Sequence, residues 1–301
     1  MRKYGFLFIS LTILFNPVAT AGSGYPQGSL KIITYNIWNG FDWGKDQARH
    51  GRFVKWVRQQ APDVLALQEL CGYTEEKLQA DAAEWGHAYS VLLKTDGYPV
   101  GITSNQPIEL KEKLLEGLWH GMLHVKTHGI DFFVVHLSPA DYAFRMREMA
   151  IVTEKIRAID KDAYIVLGDF NAVSPLDSNL YTVKTSLLER YRRSDESNER
   201  YNNLRNGEWD YAVMSGFLAL PAIDVCHRLL SATDLYSFPT PALIGQYYDD
   251  AAHVERSALR IDYIMASPEL ARRCTGAAIF HDEITEGLSD HYPVGVEIEE
   301  R

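Results

Sequence analysis

Ala163-Tyr164-Ile165-Val166-Leu167-Gly168-Asp169-Phe170-Asn171-Ala172 starts as an apolar strand and ends on polar groups for which a core has no use. A short apolar run rich in β-branched residues reads as a strand covered on both faces. The same form recurs along the chain. Leu30-Lys31-Ile32-Ile33-Thr34-Tyr35-Asn36 ends on an amide, and Val64-Leu65-Ala66-Leu67-Gln68-Glu69 ends on a carboxylate. Val134-Val135-His136-Leu137-Ser138-Pro139 carries a histidine at the equivalent point. Near the C-terminus follow Arg260-Ile261-Asp262-Tyr263-Ile264 and Ser289-Asp290-His291-Tyr292-Pro293-Val294.

Helices alternate with these strands. Asp46 to Gln60 has Phe53, Val54, Trp56 and Val57 on one side, and Pro62 ends it. A hairpin pairs Met122–Val125 with Phe132–Val135 across His128-Gly129. Asp141 to Ile159 reads as a long helix with Asp141 as its N-cap. Further strands are expected at Arg260–Ala266, Ala277–His281 and Val294–Glu299, whereas residues 178–215 are polar, charged and tyrosine-rich and give no clear pattern. Mixed strands with helices in both halves point to two sheets packed face to face, each covered outside by helices.

The first 21 residues have the order of a secretory signal. Arg2 and Lys3 precede an apolar run from Tyr4 to Phe15, then Ala19-Thr20-Ala21 offers a cleavage site. The run is short of the roughly 20 residues that a membrane-spanning helix needs. The expectation is an exported (periplasmic or secreted) protein with residues 22–301 as one domain and no transmembrane segment. Three cysteines without a C-x-x-C pair argue against a structural zinc site. The net charge is −10, and loss of Arg2 and Lys3 takes it to −12. Such acidity weighs against nonspecific grip on nucleic acid, because phosphate contacts dominate that affinity.

Taken singly, each polar strand end reads as well as a turn former, a cap or a satisfied core residue. Taken in order, the six words resemble the endonuclease/exonuclease/phosphatase superfamily, which includes DNase I-like nucleases, sphingomyelinases and inositol polyphosphate 5-phosphatases. Gly168-Asp169-Phe170-Asn171 and Ser289-Asp290-His291-Tyr292-Pro293-Val294 are the most specific of them. The resemblance runs from Leu30 to Ile298. It implies an α+β fold, a DNase I-like four-layer α/β/β/α sandwich with the site at one edge of the sheets.

The resemblance also implies roles. Asn36, Glu69 and Asp290 match the metal-binding positions, and oxygen-only ligation suits Mg²⁺ or Mn²⁺. Asp169 matches the carboxylate that orients or deprotonates the attacking water. Asn171 would donate to phosphate oxygens. His291 would contact the scissile phosphate with Asp262 holding its other nitrogen, and His136 would be a second phosphate-facing imidazole. Exonuclease III-like repair enzymes carry an acidic residue where this chain has Trp38, which points away from abasic-site repair.

Outside these words, Arg145 and Arg147 are expected on a solvated helix face. Trp38, Trp43 and Trp119 fit a substrate wall or core packing equally. Cys71 is expected as a small buried hydrophobe. The functional expectation is an exported Mg²⁺-dependent phosphoesterase of small or lipid-headgroup substrates. The alternatives are a secreted DNase I-like endonuclease and a catalytically silent binding protein on the same scaffold.

Overall fold

The structure, a computed structural model, describes residues 28–159, 163–198 and 200–300. The expected signal segment 1–21 lies outside the described residues. The first strands are β1 (Ser29–Asn36), β2 (Val64–Gln68), β3 (Tyr89–Leu92), β4 (Gly101–Ser104), β5 (Glu109–Leu114), β6 (Met122–Thr127) and β7 (Ile130–His136). Then come β8 (Tyr164–Asp169), β9 (Leu204–Arg205), β10 (Glu208–Trp209), β11 (Ile223–Asp224), β12 (Asp262–Ala266), β13 (Cys274–Ile279) and β14 (Val294–Glu299). One six-stranded sheet has the order β13-β14-β1-β2-β4-β3 and the other β11-β12-β8-β7-β6-β5. Strands β9 and β10 form a separate ribbon.

Period-two alternation explains why the central strands are apolar throughout. In β1, Ile32 packs into the cluster between the sheets with Val64, Ala66, Leu123, Phe132, Ile165 and Ile264. Its neighbours Ile33 and Tyr35 point the other way, onto Phe53 and Val57 of the helix Gln47–Gln60. In the second sheet, Phe133, Val135 and Val166 meet Val152 and Ile156 of the helix Tyr142–Arg157 and Phe217 of Ala212–Leu218. Each strand therefore has an inner and an outer apolar face. The result is the expected four-layer sandwich.

The expected boundaries hold within a residue or two for most elements. Asp46 caps its helix by accepting from Arg49 N at 2.9 Å, and Asp141 caps the next by accepting from Phe144 N at 2.7 Å. His128 and Gly129 both have positive φ, the geometry of a tight hairpin turn. The unclear stretch 178–215 holds helices Ser178–Thr182 and Thr185–Ser197, the β9–β10 ribbon and the start of Ala212–Leu218. All three cysteines are free and buried, Cys71 as expected.

Two parallel pairings bring the polar strand ends together. β1 runs parallel to β2 with Asn36 opposite Gln68, one residue before Glu69. β7 runs parallel to β8 with His136 opposite Asp169. β12 lies antiparallel to β8 with Asp262 opposite Asp169. The carboxyl ends of parallel strands and the start of an antiparallel one thus share a rim, a common position for sites in α/β sheets.

Candidate active site

Side chains from both sheets meet at this rim. Asn36 Nδ2 donates to Glu69 Oε1 at 3.3 Å and to Asp169 Oδ2 at 3.1 Å. One amide therefore ties a carboxylate of the first sheet to one of the second. Its Oδ1 accepts from Trp38 N at 3.1 Å. Asp169 Oδ1 accepts from Asn171 N at 2.9 Å, and Asn171 Nδ2 donates to Leu137 O. His291 Nδ1 lies 2.8 Å from Asp262 Oδ2, and its Nε2 lies 3.8 Å from Asp169 Oδ2. His136 Nε2 is 3.5 Å from the same oxygen, while its buried Nδ1 has no partner.

Burial and charge set the protonation of these groups. Burial first, then the Asp262 carboxylate, push Asp169 up to about 8. Burial, then the Asp290 charge, raise Glu69, and burial raises Asp290. Burial works against a charged His291, but the carboxylates of Asp262, Asp169 and Asp290 outweigh it and hold the ring well above the ordinary imidazole range. Burial, with the rings of His120 and His291 adding to it, holds His136 far below that range. The site therefore offers one cationic and one neutral imidazole.

Two donor sets could hold a cation. Ligand atoms of Asp169, Asp262 and His291 lie within 4.8 Å of one another. That set is buried throughout, and Asp262 Oδ2 is already engaged by His291 Nδ1 at 2.8 Å. Glu69 and Asp290 fit better: both are partly accessible, both are raised, and their mutual repulsion favours a positive ion between them. Asn36 Oδ1, which accepts from Trp38 N, retains a second lone pair.

The backbone beside Glu69 is unusual. Trp38, Asn39, Gly40, Phe41, Asp42 and Trp43 all have φ between 51° and 60°, a left-handed turn. Such a conformation costs about 1–2 kcal/mol for each residue with a Cβ. Arg49 offsets it by donating to the carbonyls of Ile37, Trp38 and Leu288 at 2.8–3.0 Å. Asn39 N donates to Glu69 Oε2 at 2.6 Å. Gly40 is required here, since a Cβ would stand 2.2 Å from Cys71 O. The turn and Arg49 therefore fix Glu69 and the segments that carry Asn36 and Asp290.

Other positioning groups gave no signal in the sequence. Glu148 is fully buried and accepts from Trp119 N and Ser138 N, both at 2.8 Å. It thereby pins the two loops that carry His120 and follow His136, whose rings stack at 4.1 Å. Ser237 Oγ accepts from the N–H groups of Ile261 and Asp262. Thr240 N donates to Asp290 O at 3.1 Å. The Leu235–Thr240 turn thus holds Asp262 and Asp290.

One expectation fails. Arg145 is buried, 3% exposed, because Ser138 O accepts from its Nη1 at 2.8 Å and draws it under the β7 loop. Arg147 is exposed as expected. Trp43 and Trp119 are exposed rather than packed in the core, and Trp38 is half-buried under the Arg49 guanidinium.

Against known proteins, the model of the Endonuclease/Exonuclease/phosphatase family matches residues 33–291. No curated protein matches the chain by sequence. Similar solved structures include an AP endonuclease from Archaeoglobus fulgidus, with TM-score 0.64 and 20% identity, covering 89% of this chain and 98% of that one. The 3′ phosphatase NExo from Neisseria bound to a product DNA hairpin has TM-score 0.63 and 19% identity, covering 90% and 99%. A humanized D. rerio TDP2 has TM-score 0.57 and 18% identity, again covering 90% and 99%. At these identities the likeness concerns the fold.

Proposed function

The chain belongs to the endonuclease/exonuclease/phosphatase family, and we propose that it is an exported, divalent-metal-dependent hydrolase of small or lipid-headgroup phosphate esters. The observation that carries this reading is the linked set Glu69–Asn36–Asp169, with Asp262–His291 beside it, assembled from both sheets. A core gains nothing from so many buried polar groups, whose desolvation each costs several kcal/mol in order of magnitude. Phosphate-ester hydrolysis needs all of them.

Asn36, Glu69 and Asp290 would hold Mg²⁺ or Mn²⁺. Bound there, the cation supplies charge neutralisation for the phosphate and the departing oxygen. Asp169 takes the proton of the attacking water; burial and the Asp262 carboxylate raise its affinity for that proton. His291, cationic and oriented by Asp262, donates to a phosphoryl oxygen, and the free amide hydrogen of Asn171 donates to another. His136, neutral and with one nitrogen unpartnered, faces the same phosphate.

Export rests on the order of residues 1–21, and the small-substrate reading rests on the −10 net charge. A nuclease of the DNase I kind is the second reading. It is favoured by a row of ring contacts from exposed Trp43 through Tyr98 and His120 to exposed Trp119, a surface on which bases could stack. A silent scaffold would need a lost site residue, and every matched position is filled.

The test is a Mg²⁺-dependent activity panel of plasmid DNA, sphingomyelin, inositol phosphates and sugar phosphates, with Asp169→Ala as blank. Turnover of a small or lipid ester well above the blank, with DNA slower, is expected. Cleavage of DNA alone supports the nuclease. Equality with the blank throughout overturns both.

A further inference from the structure

The two imidazoles beside Asp169 are held in different ways. His291 has its far nitrogen fixed, with Nδ1 2.8 Å from Asp262 Oδ2. His136 has no such tie: Nε2 lies 3.5 Å from Asp169 Oδ2, but its buried Nδ1 has no hydrogen-bond partner. A histidine ring is ordinarily oriented through the hydrogen bond of its second nitrogen. What lies against His136 instead is a flat neighbour. Met122 pairs with Val135, so the chain just before β6 arrives beside the end of β7. There the His120 ring stacks on His136, with centroids 4.1 Å apart and planes inclined by 24°.

His120 is itself built into place. It is 7% exposed, and the rings of Tyr98 and Trp119 have centroids 5.4 and 6.4 Å from its own. Glu148 holds the backbone one residue before it, by accepting from Trp119 N at 2.8 Å. One residue after it, Gly121 has φ 95°, and a Cβ there would stand 2.6 Å from Leu93 Cδ2 and 3.0 Å from Leu114 O. The backbone is therefore fixed on both sides of His120. Burial first, then the Lys94 charge, push His120 down to about 4. Asp169 and His291 face His136 from the other elements, and its burial keeps that ring neutral as well. The pair is thus two uncharged flat rings in contact.

We propose that His120 is a positioning residue of the hydrolytic site, whose flat ring fixes the plane of His136 and aims Nε2 at the phosphate beside Asp169. The proposal deepens the phosphoesterase reading and rests on it for the position of the phosphate. His120 touches no reacting atom and acts only through His136. Shape is what the role requires: another flat ring can replace it, whereas an aliphatic side chain cannot. A His136 ring released from the stack can flip, presenting either nitrogen to Asp169 and averaging its two neutral tautomers.

The test compares wild type with His120→Phe, which keeps a flat ring, and His120→Leu, which keeps bulk without one. Activity is read with Mg²⁺ on bis(4-nitrophenyl) phosphate and 4-nitrophenyl phosphate. Misplacing a group at a site by about 1 Å can cost about 10²-fold, so His120→Leu is expected to lose roughly tenfold or more in kcat, with KM changed less. His120→Phe is expected to stay close to wild type. The second readout is the ring itself, in long-range ¹H–¹⁵N spectra of histidine-labelled protein, with the His136 signals identified by their loss in His136→Gln. One fixed neutral tautomer is expected for His136 in wild type and His120→Phe, and averaging in His120→Leu. A general loss of folded structure does not imitate that pattern, since His291, tied to Asp262, keeps its signals in all three proteins. Wild-type kcat or an unaveraged His136 in His120→Leu overturns the proposal. So does a His120→Phe as slow as His120→Leu, which gives the role to a His120 nitrogen. If neither ester exceeds the Asp169→Ala blank, the hydrolase reading has failed, and the spectra alone decide. Averaging confined to His120→Leu then upholds the positioning; identical His136 signals in all three overturn it.

Discussion

Asp169 faces Asp262 directly across the β8–β12 ladder, two buried carboxylates in register with the His291 ring between them. The arrangement is costly to folding and useful to chemistry. Asp169→Asn keeps the shape and removes one charge. Activity is expected to fall by about 10²–10⁴-fold, the usual contribution of general acid–base assistance. In chelator-containing buffer at pH 8 the same variant is expected to melt at or above the wild-type temperature. Asp169 is raised when folded, so the native state holds more protons than the unfolded one and stability falls as pH rises toward 8. Paired activity assays and melting curves check both halves; a variant that is inactive only because it is unfolded fails the second.

Glu148 gives a pH signature away from Glu69 and Asp290. Burial pushes it up to about 7, against the two N–H bonds from Ser138 and Trp119 that favour its charge. A carboxyl moved from 4.5 to about 7 on folding binds protons preferentially in the native state, so its contribution to stability declines as pH climbs through that window. The decline amounts to roughly 3 kcal/mol. Glu148→Gln has no such group. The wild-type minus variant difference in unfolding free energy is expected to drop by about that much between pH 4 and 8, measured by denaturant titration. A flat difference contradicts it.

Arg49 is a positioning residue for the segments that carry Asn36 and Asp290. It holds three backbone carbonyls with a planar fork, which the single ammonium of a lysine cannot reproduce. Arg49→Lys is expected to lower stability by about 1–3 kcal/mol, the cost of leaving buried acceptors unpaired. It should also shrink the rise in melting temperature that Mg²⁺ produces. A variant that melts early yet responds to Mg²⁺ as the wild type does would make Arg49 a purely structural residue.

The strand ends were legible because chemistry interrupts packing there: Asn36, Glu69, His136, Asp169, Asp262 and Asp290 each follow or open an apolar run. The central strands were legible for the related reason that both of their faces are covered. What escaped was everything whose role is set by distant partners. Arg49 lies within an amphipathic helix and Glu148 within another, and nothing local marks either as holding carbonyls or amides of loops far along the chain. Arg145 departs from its expected exposed place for the same reason, since its acceptor, Ser138 O, belongs to the loop after β7. The stretch 178–215 lacks periodicity because its helices are short and mostly half-exposed, with Leu187 the buried residue of Thr185–Ser197.

In the proposed site Glu69 and Asp290 share one ion with Asn36, although these residues are spread from the first strand to the last turn. Titration of Mg²⁺ into the metal-free protein, followed by calorimetry or by displacement of paramagnetic Mn²⁺, tests this directly. One strong site is predicted for the wild type, weakened at least tenfold in Glu69→Gln and in Asp290→Asn while Asp262→Asn keeps most of its affinity. Wild-type affinity in both Glu69→Gln and Asp290→Asn, with loss in Asp262→Asn, would contradict it and move the ion to the Asp169–Asp262–His291 cluster.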